Sequence, residues 1–268
     1  MDIIFVSFIF VLGLIIGSFL NVVILRYNTG KSLGGRSGCL FCGKILKFVE
    51  LVPLISYIYQ KGKCTKCYSK ISYQYPLVEF FTALTFVFVY LNIAANSTIF
   101  IAELLFGMVI FSILIVIFAY DIHHKIIPNG LVYAFAIISL VHLVIVNGFE
   151  NLFRYPGILD LFAGVIFFIP FYLLWYFSKG EWIGLGDGKL AVGMGALLGF
   201  VNGLSALVLA FWIGAVFSLL LLLILRLKDK GGHITMKSEI PFAPFLIIGT
   251  FISFFFEFDV LSIGSLLY

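Results

Sequence analysis

Eight long apolar runs constrain the fold of this chain more than any other feature of its sequence. A helix that crosses a bilayer needs roughly 20 mostly apolar residues to span about 30 Å of hydrocarbon. The runs cover residues 3–25, 77–95, 99–120, 130–147, 158–177, 189–202, 204–227 and 242–257. Of the 268 residues, 62% are hydrophobic and 11% are charged, whereas soluble domains are about 45–50% apolar and about 25% charged. The sequence therefore predicts an all-α polytopic membrane protein with about eight transmembrane helices, and it excludes a soluble globule, a disordered chain and a nucleic-acid reader.

Two of these runs allow a second interpretation. The first run could be a signal peptide, but it is longer than the usual apolar stretch of about 7–15 residues, and its basic residues follow it. We expect it to be a retained helix with its N-terminus outside. The sixth run is short and glycine-rich, and Gly195 and Gly199 are spaced as in the small-xxx-small motif. Such a pair lets two helix backbones approach closely, although glycines are also simply common in membrane helices.

The basic residues are distributed unevenly between the two sides of the membrane. The segment 26–76 contains nine lysines and arginines against one acid, Glu50. If the helices alternate from there, Arg154 alone among the remaining basic residues falls on the opposite side. The others fall on the side of the loop: Lys125, Lys179, Lys189, Arg226, Lys228, Lys230 and Lys237. The positive-inside rule makes this side cytoplasmic, with both termini outside.

The same assignment divides the chain into three parts. Residues 1–25 form the first transmembrane helix, residues 26–76 form a cytoplasmic loop domain, and residues 77–268 form a seven-helix membrane domain.

All four cysteines lie in the cytoplasmic loop, as Cys39-Leu-Phe-Cys42 and Cys64-Thr-Lys-Cys67 with 21 residues between the pairs. Two CxxC pairs can present four thiolates tetrahedrally to one zinc ion, and structural disulfides are disfavoured in the reducing cytoplasm. A redox CxxC and unligated thiols are the alternatives, but a lone redox motif does not explain the second pair. The spacing favours a closed structural zinc site that folds a small loop lacking a core.

Two aspartates are candidates for catalysis, because ionisable residues at membrane depth are costly and so are functional by default. Asp121 ends the third run, and Asp187 opens the sixth in the sequence Gly184-Leu-Gly186-Asp187-Gly188-Lys189. Both are predicted to lie at the cytoplasmic face. Other acids are expected to be solvated, among them Asp160, near the outer end of the fifth run, which we expect to face water or headgroups.

A pair of carboxylates at one membrane face can hydrolyse a peptide bond. One ionised group takes a proton from water while the other, protonated, polarises the scissile carbonyl, because two nearby carboxylates share a proton. The alternatives are purely structural roles: Asp187 could be a helix N-cap, and Asp121 could pair with Lys125, four residues later. A proton-coupled transporter and a non-catalytic assembly protein are the competing functions.

Further motifs follow one another along nearly the whole chain. They are Gly17-Ser-Phe-Leu-Asn21 followed by Arg26, the double CxxC loop closed by Tyr75-Pro76-Leu-Val-Glu79, Asp121 with Ile127-Pro128, Asp187 with Lys189-Leu190, and Ile240-Pro241-Phe242 with Pro244-Phe245. In this order and at this spacing they resemble the bacterial type IV prepilin peptidase family, also called leader peptidase/N-methyltransferase.

The resemblance implies a GxGD-type intramembrane aspartyl protease of the inner membrane, with Asp121 and Asp187 as its catalytic residues. Such an enzyme cuts the basic leader from prepilins or pseudopilins on the cytoplasmic side, and in many members it then methylates the new N-terminus with S-adenosylmethionine. Glu79 is the candidate for contacting this cofactor; the alternative is that Glu79 pairs with an arginine or lysine of the loop. The expected partners are prepilins and the lipid bilayer, with no nucleic acid.

Overall fold

The computed structural model describes residues 3–93, 99–227, 241–260, 262 and 264–267. The described residues form α-helices, together with a long loop over residues 27–73 that contains a 3-10 helix (Phe48–Leu51), one short α-helix and isolated β-bridges. The α-helices are α1 Ile3–Arg26, α2 Ile55–Tyr59, α3 Gln74–Asn92, α4 Phe100–His124, α5 Asn129–Asn147, α6 Phe149–Leu152, α7 Gly157–Ser178, α8 Leu185–Leu227, α9 Ala243–Phe256 and α10 Gly264–Leu267. The predicted all-α class is confirmed. Among the residues named above, Lys228, Lys230, Lys237 and Ile240 lie outside the described residues.

Six of the described helices are long and apolar enough to cross a membrane: α1, α3, α4, α5, α7 and α8, while α9 is shorter but equally apolar. Their lengths follow from the absence of helix breakers within the apolar runs, with Pro170 in α7 as an exception. The chain divides into two compact units, Met1–Ala119 and Tyr120–Tyr268. The three-part domain division stays a prediction.

In the first unit, two glycines of α1 let it pack closely against α3. A Cβ atom added at Gly17 would lie 2.7 Å from the Glu79 Cα, and one added at Gly13 would meet the Ala83 backbone at 2.5 Å. The two glycines are four residues apart and so lie on one face of the helix. Through this face, the backbone of α1 approaches the backbone of the α3 residues that follow the cysteine loop.

In the second unit, α8 folds back on itself at Gly199, which has a φ of 72° and a ψ of −169°. A Cβ at Gly188 would lie 3.0 Å from the Phe171 Cβ, and the Phe171 ring also stacks on Phe211 with centroids 6.3 Å apart. In a straight helix, residues 188 and 211 would be about 34 Å apart. Both can reach one residue of α7 only because α8 has two antiparallel arms.

The two arms correspond to the sixth and seventh apolar runs, although the break falls at Gly199 rather than at residue 203. Gly195 packs against the backbone of Gly164 in α7, as the small-xxx-small pattern predicted. Gly199 takes a different role, since it makes the turn. The total of eight membrane spans stays a prediction.

Asp160, in the first turn of α7, holds this turn. Its Oδ1 accepts a hydrogen bond of 2.8 Å from the backbone N–H of Phe200, the first residue of the second arm. A Cβ at Gly199 would lie 2.5 Å from the same oxygen, so that only glycine allows the approach. The sequence predicted a carboxylate facing water or headgroups; in the structure it also caps the N-terminus of the second arm from a neighbouring helix.

This cap is expected to stabilise the second unit measurably. Asp160→Ala should lower the free energy of unfolding by about 1 kcal/mol, because removing an N-cap acceptor leaves a helix N–H unsatisfied. Asp160→Asn keeps the acceptor oxygen, and it should change stability by only a few tenths of a kcal/mol. Denaturant unfolding of the full chain in detergent would measure both. Equal losses of unfolding free energy in the two variants would show that Asp160 stabilises the protein through its charge rather than through its hydrogen bond to Phe200.

Candidate active site and candidate metal centre

Asp121 lies in the last turn of α4, with its side chain buried at 3% exposure. Its backbone carbonyl accepts a hydrogen bond of 2.8 Å from the N–H of Lys125, and Lys125 has a left-handed φ of 52° that ends the helix. The predicted ion pair between Asp121 and Lys125 is not among the ion pairs of the described residues. The aspartate is therefore held by its helix, and its carboxylate is free for another role.

Asp187 is the third residue of α8, and its side chain is 7% exposed. Its backbone N–H donates to the Gly184 carbonyl at 3.2 Å. Gly186 makes room for Ile127, because an added Cβ would lie 3.0 Å from the Ile127 Cβ. The glycines before Asp187 thus allow the start of α8 to lie directly against the turn that follows α4.

The structure brings the two aspartates together within the second unit. The start of α8, which carries Asp187, packs through Gly186 on Ile127 in the turn that follows Asp121, although Asp121 and Asp187 are 66 positions apart in the chain. Each has one buried oxygen, Oδ2 of Asp121 and Oδ1 of Asp187, with no hydrogen-bond partner among the described residues. Buried polar atoms are nearly always satisfied, so unpartnered ones point to function. Two such oxygens could bind a water molecule and a carbonyl group between them.

The four cysteines form a compact cluster in the first unit. Their sulfur atoms all lie within 4.8 Å of one another. Sγ of Cys39 is 3.8 Å from Sγ of Cys67, and Sγ of Cys42 is 4.0 Å from Sγ of Cys64. Four sulfurs at 2.3 Å from a tetrahedral zinc ion would be about 3.8 Å apart. The cluster therefore fits zinc as a closed site with four protein ligands.

The two CxxC pairs are built in the same way. The N–H groups of Cys39 and Cys64 each donate at 2.9 Å to a carbonyl five residues later. The fifth residue of each turn has a left-handed backbone, with a φ of 66° at Gly43 and 57° at Tyr68. Each turn directs its two sulfurs toward the sulfurs of the other turn, which explains why a pair of short motifs forms one site.

Backbone donors prepare part of this cluster to bind a metal. Hydrogen bonds from the N–H groups of Cys42 and Phe41 lower the pKa of Cys39 to about 6. A hydrogen bond from the Ser69 hydroxyl lowers the pKa of Cys67. Because the thiolate is the form that binds zinc, these contacts favour the ligating state at neutral pH.

Glu50 connects the two turns, which the sequence analysis did not foresee. Its Oε1 accepts hydrogen bonds of 2.5 Å from Lys44, just after the first cysteine pair, and of 2.5 Å from Thr65, inside the second pair. The Lys44 amine lowers the pKa of Glu50 to about 2. The signal available in the sequence was that Glu50 is the one acid in a strongly basic loop.

Removing this link should weaken the metal site. Glu50→Gln is expected to lower zinc affinity about tenfold, since groups that orient a metal site typically contribute 10–100-fold to affinity. Competition with a chromogenic chelator would measure the loss, with Lys61→Gln as a control for an exposed charge in the same loop. Because the pKa of Glu50 is lowered on folding, the contribution of its carboxylate to the folding stability of the loop should be complete above about pH 4.5 and lost as the pH falls toward 2. Unchanged affinity in Glu50→Gln would show that the link does not support the site.

Glu79 is buried in α3, at 7% exposure. Its Oε2 accepts a hydrogen bond of 2.9 Å from the backbone N–H of Leu54 in the cysteine loop, and its backbone packs against Gly17 of α1. Among the described residues no lysine or arginine forms an ion pair with Glu79. The side chain therefore anchors the loop to the helices, and its role in cofactor binding stays a prediction.

The fold and the candidate site together define a multi-pass helical membrane protein with paired acidic side chains. Comparison with known families narrows this class. The model of the bacterial peptidase A24 N-terminal domain matches residues 11–93, which include the four cysteines. The model of the type IV leader peptidase family matches residues 108–219, which include both aspartates.

Curated relatives match along most of the chain. A prepilin leader peptidase/N-methyltransferase of Bacillus subtilis is 31% identical over 262 residues, which make up 96% of each protein. Proteins of the same name from Myxococcus xanthus and Pseudomonas aeruginosa are 33% and 28% identical. These two matches cover 82% and 90% of this chain, and 64% and 87% of the respective relatives. This chain belongs to the type IV leader peptidase family. No solved structure gives a significant match.

Proposed function

We propose that this chain is a membrane aspartic endopeptidase that removes the leader from prepilins or pseudopilins and then methylates the new N-terminus. The observation that carries the peptidase proposal is the pair of buried carboxylates, each with an unpartnered oxygen, on segments that pack against each other. Membership of the type IV leader peptidase family and the names of the curated relatives support the same activity.

In the proposed reaction, Asp121 and Asp187 share one proton between them. The ionised carboxylate takes a proton from a water molecule, whose oxygen attacks the scissile carbonyl carbon, while the protonated carboxyl donates a hydrogen bond to the carbonyl oxygen. The resulting tetrahedral species collapses as the leaving amine accepts a proton from the pair. The glycines on either side of Asp187 let α8 pack closely on Ile127 and Phe171, and this packing would hold the Asp187 carboxylate in place during the reaction.

We propose that this chemistry takes place at the cytoplasmic face of the inner membrane, with both termini outside. The proposal is supported by the distribution of the lysines and arginines, nine of which lie in the segment 26–76, because basic residues are concentrated on the cytoplasmic side of membrane proteins. A prepilin carries a basic leader before an apolar helix. Its scissile bond would then lie at the inner surface of the bilayer, level with the two aspartates.

The proposal includes two groups that are not part of the polypeptide, a zinc ion and S-adenosylmethionine. Zinc would be held by the four cysteines and would hold the loop folded, without an open coordination position for catalysis. S-adenosylmethionine would supply the methyl group. Glu79 is the residue proposed to contact it, but the buried Glu79 carboxylate already accepts a hydrogen bond from Leu54, so we derive no step through this contact.

The full chain, purified in detergent, can be tested with a synthetic prepilin and S-adenosylmethionine. Mass spectrometry should find a product that has lost its leader and gained the mass of one methyl group. A substrate of unchanged mass would contradict the peptidase proposal, and a shortened product without the methyl group would contradict the methyltransferase proposal alone.

A further inference from the structure

Lys189, two residues after Asp187, makes contacts that the proposed reaction does not use. Its amine donates a hydrogen bond of 2.8 Å to Oδ1 of Asn129, 60 residues away in the chain. It also lies over the ring of Tyr133, 5.4 Å from the ring centroid. Asn129 and Tyr133 are four residues apart, so they are on one face of α5 at its N-terminal end. The side chain of Lys189 therefore connects α8 to α5 through two contacts, a hydrogen bond and a cation–π contact.

The position of this lysine contradicts a local rule of helix stability. Lys189 lies near the N-terminus of α8, where the helix dipole disfavours a positive charge. Asn129, its partner, begins another helix, whose dipole disfavours the same charge. Local rules are usually broken where function requires it, and here the hydrogen bond and the cation–π contact offset part of the cost.

Two contacts, one on each side of Asp187 in the sequence, attach the start of α8 to the segment that follows Asp121. Before the aspartate, Gly186 packs against Ile127; after it, Lys189 binds Asn129. Ile127 and Asn129 belong to the turn and the helix start that follow Asp121 directly in the chain. The start of α8, which carries Asp187, is thus attached on both sides of this residue to the segment that follows Asp121.

We propose that Lys189 and Asn129 form a clamp that sets the distance between the two aspartates, which makes Lys189 a positioning residue for the peptidase reaction. This inference rests on the proposed function of Asp121 and Asp187. The clamp acts through the backbone of α8, so its loss lets the start of the helix move away from the turn after α4. A displacement of about 1 Å in a catalytic group can cost about 100-fold in rate.

Steady-state cleavage of a synthetic prepilin by the full chain tests the clamp. Lys189→Met keeps an unbranched side chain of nearly the same length but removes the charge and the donor, and it should lower kcat about 10–100-fold with little change in KM. Asn129→Leu should have the same effect, and the double variant should be no worse than either single one. Lys189→Arg restores a cationic donor and should recover most of the rate. Lys179→Met is the matched control, because it removes an exposed lysine of the same unit.

A second measurement does not depend on activity. Asp121→Cys and Asp187→Cys can be combined in the full chain, and the yield of their linkage by a short bismaleimide, located by mass spectrometry, reports how closely they approach. The yield should fall several-fold when Lys189→Met is added, and it should stay unchanged with Lys179→Met.

An unchanged yield in Lys189→Met would overturn the clamp, as would additive losses of rate in the double variant or an effect on KM alone. If the native chain fails to cleave prepilin while the linkage still depends on Lys189, the proposed function is wrong and the clamp is not.

Discussion

Asparagine in place of either Asp121 or Asp187 is expected to lower prepilin cleavage about 1,000-fold or more. The substitution preserves size but removes the ability to take or give a proton, and acid–base groups contribute about 10²–10⁴-fold each. Both carboxylates are needed for one proton to be shared, so the double variant should be little worse than either single one. Both side chains are almost fully buried and one oxygen of each lacks a partner, so the neutral amides should leave the fold intact.

The measurement is the initial rate of leader release by the full chain in detergent, followed by mass spectrometry. Asp160→Asn is the matched control, because it makes the same change in the same unit at a carboxylate that caps a helix. It should retain the native rate. Cleavage at a near-native rate in either Asp121→Asn or Asp187→Asn would refute the mechanism of two carboxylates.

Removal of zinc should unfold the cysteine loop. Binding of a structural zinc ion supplies about 10–16 kcal/mol of folding free energy at neutral pH in small domains, and this loop has little apolar burial to replace it. Leu40, Phe41 and Phe48 are all more than two-thirds exposed. The loop is thus held mainly by its ligands, the two short bridges and the contacts of Glu50 and Glu79.

Three measurements on the full chain would test this. Elemental analysis should find one zinc ion per chain, and a strong chelator should remove it. Limited proteolysis should then cut between residues 37 and 71, where the native protein resists, and added zinc but not magnesium should restore resistance. Cys64→Ser should behave like the chelated protein. A loop that stays resistant without metal would show that the cysteines do not hold it together.

The features that the sequence predicted correctly are those set by local composition. Apolar runs of sufficient length became helices, and α3, α5 and α7 lie within a few residues of the runs that predicted them. The four cysteines cluster as their spacing required. The aspartates could be proposed as a pair because their placement at helix ends follows from the ends of the apolar runs.

The features that the sequence did not predict depend on partners distant in the chain. The turn within α8 lies at Gly199 because Asp160 of α7 is there to cap the second arm, whereas hydropathy alone placed the break at residue 203. Glu79 was proposed to contact a cofactor or a cation of the loop, and the sequence did not predict the hydrogen bond that it accepts from the backbone of the loop. Lys189 was one basic residue among many until its contact with Asn129 was seen.

The turn at Gly199 has a consequence for how far water can enter the second unit. The first arm of α8, residues 185–198, is about 21 Å long, whereas the hydrocarbon core of a bilayer is about 30 Å thick. Most residues of this arm are buried among neighbouring helices, so protein rather than lipid surrounds it. A cavity of about 450 Å³, lined by both polar and apolar residues, among them Asp160, Leu197 and Asn202, lies at the end of this arm that is remote from Asp187. Water in this cavity would make up part of the difference in length and would hydrate the turn within the thickness of the membrane.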